Sequence, residues 1–418
     1  MLSCHYFQEQ ICRSCSLLTT DYASALRIRT EWLTDLFPTA QISEIVPADQ
    51  VGGSRIRARL AVFGTVTDPQ FGFLNDRKQI AAVLQCPLHH PKINEVIRAC
   101  HELVREAKLE PYHADSDRGE LKYVVLTFSP THDELMLQLV LRSREAVDRV
   151  RRCWKTQSPA FLSQIKVLSV NIQPVRSSLI NGTEEISISD TDHIRVRYGD
   201  ADVFYGPQSF IQTSFKMAQR LYQRSTELLS SEGAVRILDL YCGSGAFSLT
   251  AASRLRSGAA IHGDTSDSRS SDPEVSPDSE DSLRQIQVIG IDQSDDAVRC
   301  AKLGAAKAGL SNAHYLTARP DELLKLDNDE LRGQLVNLPA AVCNPPRAGL
   351  DSSCRELLRT LKPSLILYSS CNPETLRRDL ADLAEFYETE RLEPFDMFPF
   401  TLHLEVLAVL RLRKSSVS

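Results

Sequence analysis

The sequence predicts an α/β protein whose C-terminal half is a doubly wound, Rossmann-like parallel sheet closed by an antiparallel hairpin. Three observations predict it. From Arg236 onward, short apolar runs alternate with helical patterns, as parallel sheets require. The first run enters a glycine-rich turn, Tyr241-Cys242-Gly243-Ser244-Gly245, and the second ends in an acid, Asp292. The last two runs, Arg391–Met397 and Leu402–Leu410, are joined too tightly for a crossover helix and pair antiparallel.

At 418 residues the chain exceeds one ordinary core, so two or three domains are expected. A composition of 42% hydrophobic and 24% charged residues is globular. The first eighteen residues lack a basic start and a long apolar run, and no stretch reaches membrane-spanning length. The expectation is a cytoplasmic protein with no membrane partner, whose 11 cysteines are thiols, ligands or nucleophiles rather than disulfides. The net charge of -6 argues against nucleic acid until it is located. Residues 264–281 hold seven acidic residues and one Arg, so this Ser/Asp/Pro-rich segment accounts for the excess. It reads as part of a disordered acidic insert over 258–285, most simply a solubilising one.

The chain begins with Cys4, Cys12 and Cys15, spaced C-x7-C-x2-C, and Cys86-Pro87 follows far downstream. Four thiolates suit an iron-sulfur cluster or zinc. The spacing does not match the C-x3-C-x2-C of radical S-adenosylmethionine chemistry, and a Cys-Pro after three grouped cysteines favours a cluster over zinc. Tyr22–Leu36 has helical spacing, and Arg55–Phe63 alternates like a strand that places Arg55, Arg57 and Arg59 on one face. That face binds phosphates, or it is the solvated face of an edge strand. Residues 91–200 mix a helix over Ile93–Ala107 with strands at Leu121–Phe128, Leu135–Leu141 and Val167–Ile172, an α+β region without evident catalytic groups.

In the C-terminal half, the expected strands are Arg236–Tyr241, Gln287–Asp292, His314–Thr317, Ala340–Cys343 and Ser364–Tyr368. A dinucleotide fingerprint would want glycine at position 248, where Ser248 stands. That difference and the Asp239-x-Tyr241-x-Gly243-x-Gly245 form favour S-adenosylmethionine, which has no pyrophosphate to cradle. The fourth strand ends in Asn344-Pro345-Pro346-Arg347, a stiff extended turn facing the crevice. An aromatic residue after Pro-Pro would stack a base for amino-group methylation, and Arg347 stands there instead.

The fifth strand turns into Cys371-Asn372-Pro373, with Asn372 suited to a helix cap and Pro373 to the first helical position. A thiol before a helix N-terminus has a lowered pKa and suits a nucleophile. An isolated cysteine is more often a packing residue, and the neighbouring motifs reverse that preference. Glu405 sits in the apolar run Leu404–Leu410, where burial raises a carboxylate's pKa and suits it to proton abstraction; an exposed edge-strand Glu is the plainer alternative.

Taken together, CHYFQEQICRSC (4–15), PQSFIQT (207–213), DLYCGSGAF (239–247), NPPRAG (344–349), YSSCNPETL (368–376) and DMFPFTLHLEV (396–406) make the chain resemble the RNA uracil-5-methyltransferases, most closely the iron-sulfur, large-subunit rRNA (RlmC/RumB) type. The resemblance implies Cys371 as nucleophile, Glu405 as general base, and Gln212, Tyr241, Asp292 and Asn344 at the S-adenosylmethionine site, beside Asp239, Gly243 and Gly245. It implies Asn344 and Arg347 as substrate-orienting, and Cys4, Cys12, Cys15 and Cys86 as [4Fe-4S] ligands. The expected organisation is an iron-sulfur region over 1–90, of which 20–46 pack on the methyltransferase domain, a central RNA-binding domain over 91–200, and a methyltransferase domain over 201–418. The expected substrate is 23S rRNA met before full ribosome assembly, by a monomer. A uridine in tRNA or another RNA, and a catalytically silent iron-sulfur RNA-binding protein, are the alternatives. Two departures stand out: Phe400 replaces the family's usual His, and Ser214 a common Asn.

Overall fold

The structure, a computed structural model, describes residues 2–74, 80–177, 179–257, 286–323, 333, 335 and 338–414. The insert expected over 258–285 lies outside the described residues.

The chain opens with α1 (His5–Gln8) and α2 (Tyr22–Leu36), followed by β1 (Arg57–Gly64), β2 (Pro69–Leu74), β3 (Ile80–Ala82), α3 (Pro91–Glu106), β4 (Leu121–Ser129), β5 (Glu134–Leu141), α4 (Val147–Thr156), β6 (Ile165–Ile172) and β7 (Glu184–Ser187). The seven strands form one sheet in the order β3-β2-β1-β4-β5-β6-β7. Leu60 and Val62 of β1 share a core with Ile93 and Ile97 of α3 and Leu126 of β4. This apolar face cannot be buried by β1–β3 alone, so β1 pairs with β4, Arg57 opposite Thr127. The sheet thus crosses the boundary expected between residues 90 and 91. β1 is an interior strand, which excludes the edge-strand reading of its arginines.

β8 (Ile194–Tyr198) and β9 (Ala201–Tyr205) form a separate antiparallel hairpin. It crosses the boundary expected at 200/201, because Tyr198 and Tyr205 are buried in the C-terminal core with Tyr222 of α5 (Phe215–Ser231). Tyr198 and Tyr222 meet edge to face at 4.9 Å.

The C-terminal half then runs β10 (Arg236–Leu240), α6 (Ala246–Ser257), β11 (Gln287–Asp292), α7 (Asp295–Lys307), β12 (Ala313–Thr317), α8 (Pro320–Leu323), β13 (Ala340–Cys343), α9 (Ser352–Leu361), β14 (Leu365–Ser370), α10 (Pro373–Leu383), β15 (Tyr387–Phe395) and β16 (Glu405–Leu412). Its sheet order is β12-β11-β10-β13-β14-β16-β15. β10 pairs in parallel with both β11 and β13, so the order reverses beside it and a crevice opens at the carboxyl ends of these strands. β15 and β16 form the expected antiparallel hairpin, but it folds back so that β16 lies between β14 and β15.

The exposed side of β15 is covered by the N-terminal segment. Leu392 N–H donates to the Gln41 carbonyl (2.8 Å), and Val46 N–H donates to the carbonyl of Pro394 (2.8 Å). Leu33 and Phe37 bury against the same core as Ile366 and Leu392. An open edge is thereby closed by a distant part of the chain. Among the described residues no helix is long and apolar enough to cross a membrane.

Candidate active site and cysteine cavity

The turn after β10 has left-handed backbone at Tyr241 (φ 58°), Gly243 (φ 53°) and Gly245 (φ 74°). Tyrosine rarely adopts this region; here its hydroxyl donates to Asp351 Oδ2 at 3.0 Å, and Asp351 caps α9 by accepting from Cys354 N–H at 2.8 Å. A Cβ at Gly245 would meet the Tyr315 hydroxyl at 3.0 Å and its ring at 3.1 Å, whereas one at Gly243 would meet nothing within 4 Å, leaving that side of the turn open. Asp292 accepts from Gly243 N–H at 3.0 Å and from Ser294 N–H at 2.9 Å, joining the end of β11 to the turn. Asp239 is fully buried, and Ser248 donates to its Oδ2 at 2.5 Å while sharing a 2.9 Å hydrogen bond with the Tyr315 hydroxyl. Burial pushes the Asp239 carboxyl up to about 7. Ser248, informative in the sequence only as a missing glycine, thus holds Asp239 in place.

Gln212 is buried in the stretch joining β9 to α5. Arg57 anchors that stretch by donating to the Ser209 carbonyl at 2.5 Å, and Ile56 N–H donates to the Thr213 carbonyl at 2.8 Å.

Asn344 N–H donates to the Leu240 carbonyl at 3.3 Å, which sets the 344–349 loop against the end of β10. The loop is also tied to the turn holding Cys371. Asn372 Nδ2 and the Thr375 hydroxyl both donate to the Arg347 carbonyl, at 3.2 and 3.1 Å, while Asn372 Oδ1 caps α10. The buried Asp379 of α10 accepts from Leu350 N–H at 2.7 Å and from the Tyr368 hydroxyl at 2.8 Å. Gly349 (φ 82°) leaves room for this carboxylate, because a Cβ there would lie 2.3 Å from Asp379 Oδ2.

Cys371 is half-buried at the end of β14. The lowered thiol pKa expected from the helix N-terminus is not what the fold produces. Burial, and then the charge of Glu405, push it up, opposed by the Arg347 guanidinium. Enclosure and a facing carboxylate outweigh the helix end. Glu405 opens β16 and is 1% exposed, so it is not the exposed edge residue that the sequence also allowed. Ser369 donates to its carboxylate, and burial pushes its pKa up to about 7. The β14–β16 register, with Ser370 opposite Val406, brings Glu405 beside Cys371.

Cys4, Cys12, Cys15 and Cys86 are free thiols lining one cavity of about 380 Å³. Tyr6 closes the ring by accepting at its hydroxyl from Leu84 and Gln85 N–H, at 3.2 and 3.1 Å. Burial pushes the Cys15 thiol up to about 11, with the three other thiols adding to the shift. Among the described residues, no three His, Cys, Asp or Glu side chains are already drawn together as ion ligands. The cysteine segment rests on the loop before Glu405: Leu17 N–H donates to the Phe400 carbonyl at 2.9 Å, and Phe400 meets the Tyr22 ring edge to face at 5.9 Å. Phe400, at φ 59° and 2% exposed, is therefore a packing residue.

Residues 308–413 match the tRNA (uracil-5-)-methyltransferase family. The 23S rRNA (uracil(747)-C(5))-methyltransferases RlmC of Shewanella sp. (strain MR-7) and of Shewanella oneidensis are each 30% identical to this chain, with 98% of both sequences covered in each pairing. The crystal structure of Pyrococcus abyssi tRNA (uracil-54, C5)-methyltransferase in complex with S-adenosyl-L-homocysteine superposes with a TM-score of 0.71, at 24% identity, covering 95% of this chain and 85% of that one. With the glycine turn, the Asn344 loop and the Cys371 turn meeting at one crevice of a Rossmann-like methyltransferase sheet, the chain belongs to the S-adenosylmethionine-dependent RNA uracil-5-methyltransferase family.

Proposed function

We propose that this protein methylates carbon 5 of one uridine in 23S rRNA, in a domain II hairpin loop, as a cytoplasmic monomer acting before ribosome assembly is complete. The observation that carries the reading is a half-buried thiol, Cys371, just past the carboxyl end of β14, beside a fully buried carboxylate, Glu405, at the start of the antiparallel β16. Carbon 5 of uracil is a poor nucleophile, and a thiol paired with a base is the chemistry that activates it.

S-adenosylmethionine, when bound, supplies an electrophilic methyl group. Gln212, Tyr241, Asp292 and Asn344 would hold it, with Asp239, Gly243 and Gly245 shaping the turn; the open side of Gly243 fits a ligand there. The Cys371 thiolate adds to carbon 6 of the uracil, so that carbon 5 becomes nucleophilic. Once carbon 5 carries the methyl group, Glu405 takes its proton and the carbon-sulfur bond breaks as the ring double bond returns. A carboxylate with a pKa near 7 is matched to that abstraction. Asn344 and Arg347 orient the base. A base must leave its stack to reach the thiol, which favours a loop over a duplex.

We assign Cys4, Cys12, Cys15 and Cys86 as ligands of a [4Fe-4S] cluster. Four thiols on one cavity suit it, since thiolates are soft ligands that favour such clusters. The sheet formed by β1–β7 is assigned to RNA binding and the C-terminal sheet to methyl transfer.

The test is covalent trapping of anaerobically purified protein with S-adenosylmethionine and large-subunit rRNA containing 5-fluorouridine. Fluorine cannot leave as a proton, so turnover should stall as a protein–RNA adduct with the wild type and not with Cys371→Ser. Absence of an adduct from cluster-loaded wild type would overturn the reading.

A further inference from the structure

The cysteine cavity has a feature that ligation alone does not account for. Among its described lining residues, the permanently charged side chains are Arg55 and Arg59, and no Asp or Glu is present. Such a cavity favours an anionic occupant.

Arg55 is also fixed relative to the fourth cysteine. Its N–H donates to the Leu88 carbonyl at 2.8 Å, and its carbonyl accepts from His90 N–H at 2.8 Å, pinning it alongside the Cys86–His90 segment. His89 N–H donates to the Cys86 carbonyl at 3.0 Å, so the same segment positions Arg55 and Cys86 together. The buried Nε of Arg55 has no hydrogen-bond partner among the described residues, although a buried donor normally finds one. Arg57, two residues on, also has an unpartnered buried Nε, but it is not among the cavity's lining residues and donates through Nη1 to the Ser209 carbonyl.

We propose that Arg55 is the counter-charge of the cluster: its guanidinium offsets the net negative charge of the thiolate-bound core and donates an N–H to a cluster sulfur. The inference rests on the cluster reading above. A thiolate-ligated [4Fe-4S] core carries less positive charge than its four ligands carry negative, and it gains another electron on reduction. Net charge and hydrogen bonds to sulfur are what set such potentials. A fixed cation therefore favours the reduced form and holds the cluster in a cavity otherwise lined largely by apolar groups. Arg55 is a positioning residue, since it touches neither the uracil nor the methyl donor.

The experiment compares wild type, Arg55→Gln and Arg55→Lys after anaerobic reconstitution with iron and sulfide. Iron and sulfide content are measured, then the cluster is titrated with dithionite and followed by electron paramagnetic resonance. Arg55→Gln should reduce about tenfold less readily at a fixed potential, about 59 mV for a one-electron couple, and Arg55→Lys should recover most of the shift. If Arg55→Gln cannot retain a cluster, retention by Arg55→Lys supports the counter-charge. Loss in both, or a wild-type potential in Arg55→Gln, overturns the assignment while leaving the cluster reading intact. Wild type that takes up no iron overturns both.

Discussion

The hydroxyl of Ser369 donates a hydrogen bond to the carboxylate of Glu405 across the β14–β16 pairing, so the strand that delivers the thiol also steadies the base. The bond favours ionised Glu405 and opposes the burial that pushes its pKa up to about 7. Ser369→Ala should raise it further. A hydrogen bond to a charged group is worth about 1.5 kcal/mol or more, about one pKa unit. The acid limb of the single-turnover rate of tritium release from carbon 5 of the uridine, which reports the abstraction step, should move up by about one unit, with little change above pH 9. An unmoved limb would remove Glu405 from the role of base.

Glu405 also makes stability depend on pH. Its folded pKa, about 7, lies above the ordinary 4.5, so the fold favours the protonated form. Its contribution is fully present below about 4.5 and is lost as the pH rises through about 7, at a cost of about 3 kcal/mol. Asp239, raised from 3.8 to about 7, acts in the same direction. In thermal denaturation, Glu405→Gln should lose less stability than wild type between pH 5 and 8.

Arg347 opposes the two influences that raise the Cys371 pKa. Arg347→Gln should therefore lower the thiolate fraction and slow alkylation of Cys371 by iodoacetamide at pH 8 by about threefold to tenfold. Equal rates in the two proteins would mean that Arg347 does not act on the thiol.

Asp396 is fully buried and accepts from Arg29 and from the Tyr22 hydroxyl, both at 2.6 Å. These bonds clamp α2 to the loop that leads into Glu405. Asp396→Asn leaves the Arg29 charge buried without its counterion and should cost about 3–5 kcal/mol in denaturant unfolding. A cost below about 1 kcal/mol would show that the clamp is not needed.

The cysteines lie far in sequence from the methyltransferase motifs, which by itself argues for a role remote from the chemistry. The fold changes that inference. Leu17 and Tyr22 bear on Phe400, five residues before the base, so loss of the cysteine segment would disturb the loop leading to Glu405.

Local patterns sufficed for much of the C-terminal sheet and for the turns that border the candidate site. Glycine spacing, the Asn372-Pro373 helix start and the terminal hairpin are all set by residues close in the chain, where backbone preference and apolar periodicity act directly. Other features depend on residues that meet only after folding. The insertion of β16 beside β14, the partnership of Ser248 with Asp239, the staple from Asp379 to the 344–349 loop, and the pairing of β1 with β4 across an expected boundary are of this kind. The Cys371 pKa shows the same division. Sequence supplied a helix N-terminus, which lowers it. Only the tertiary structure set the burial and the nearby Glu405 that raise it, because desolvation and charge act through space over a few ångströms regardless of separation along the chain.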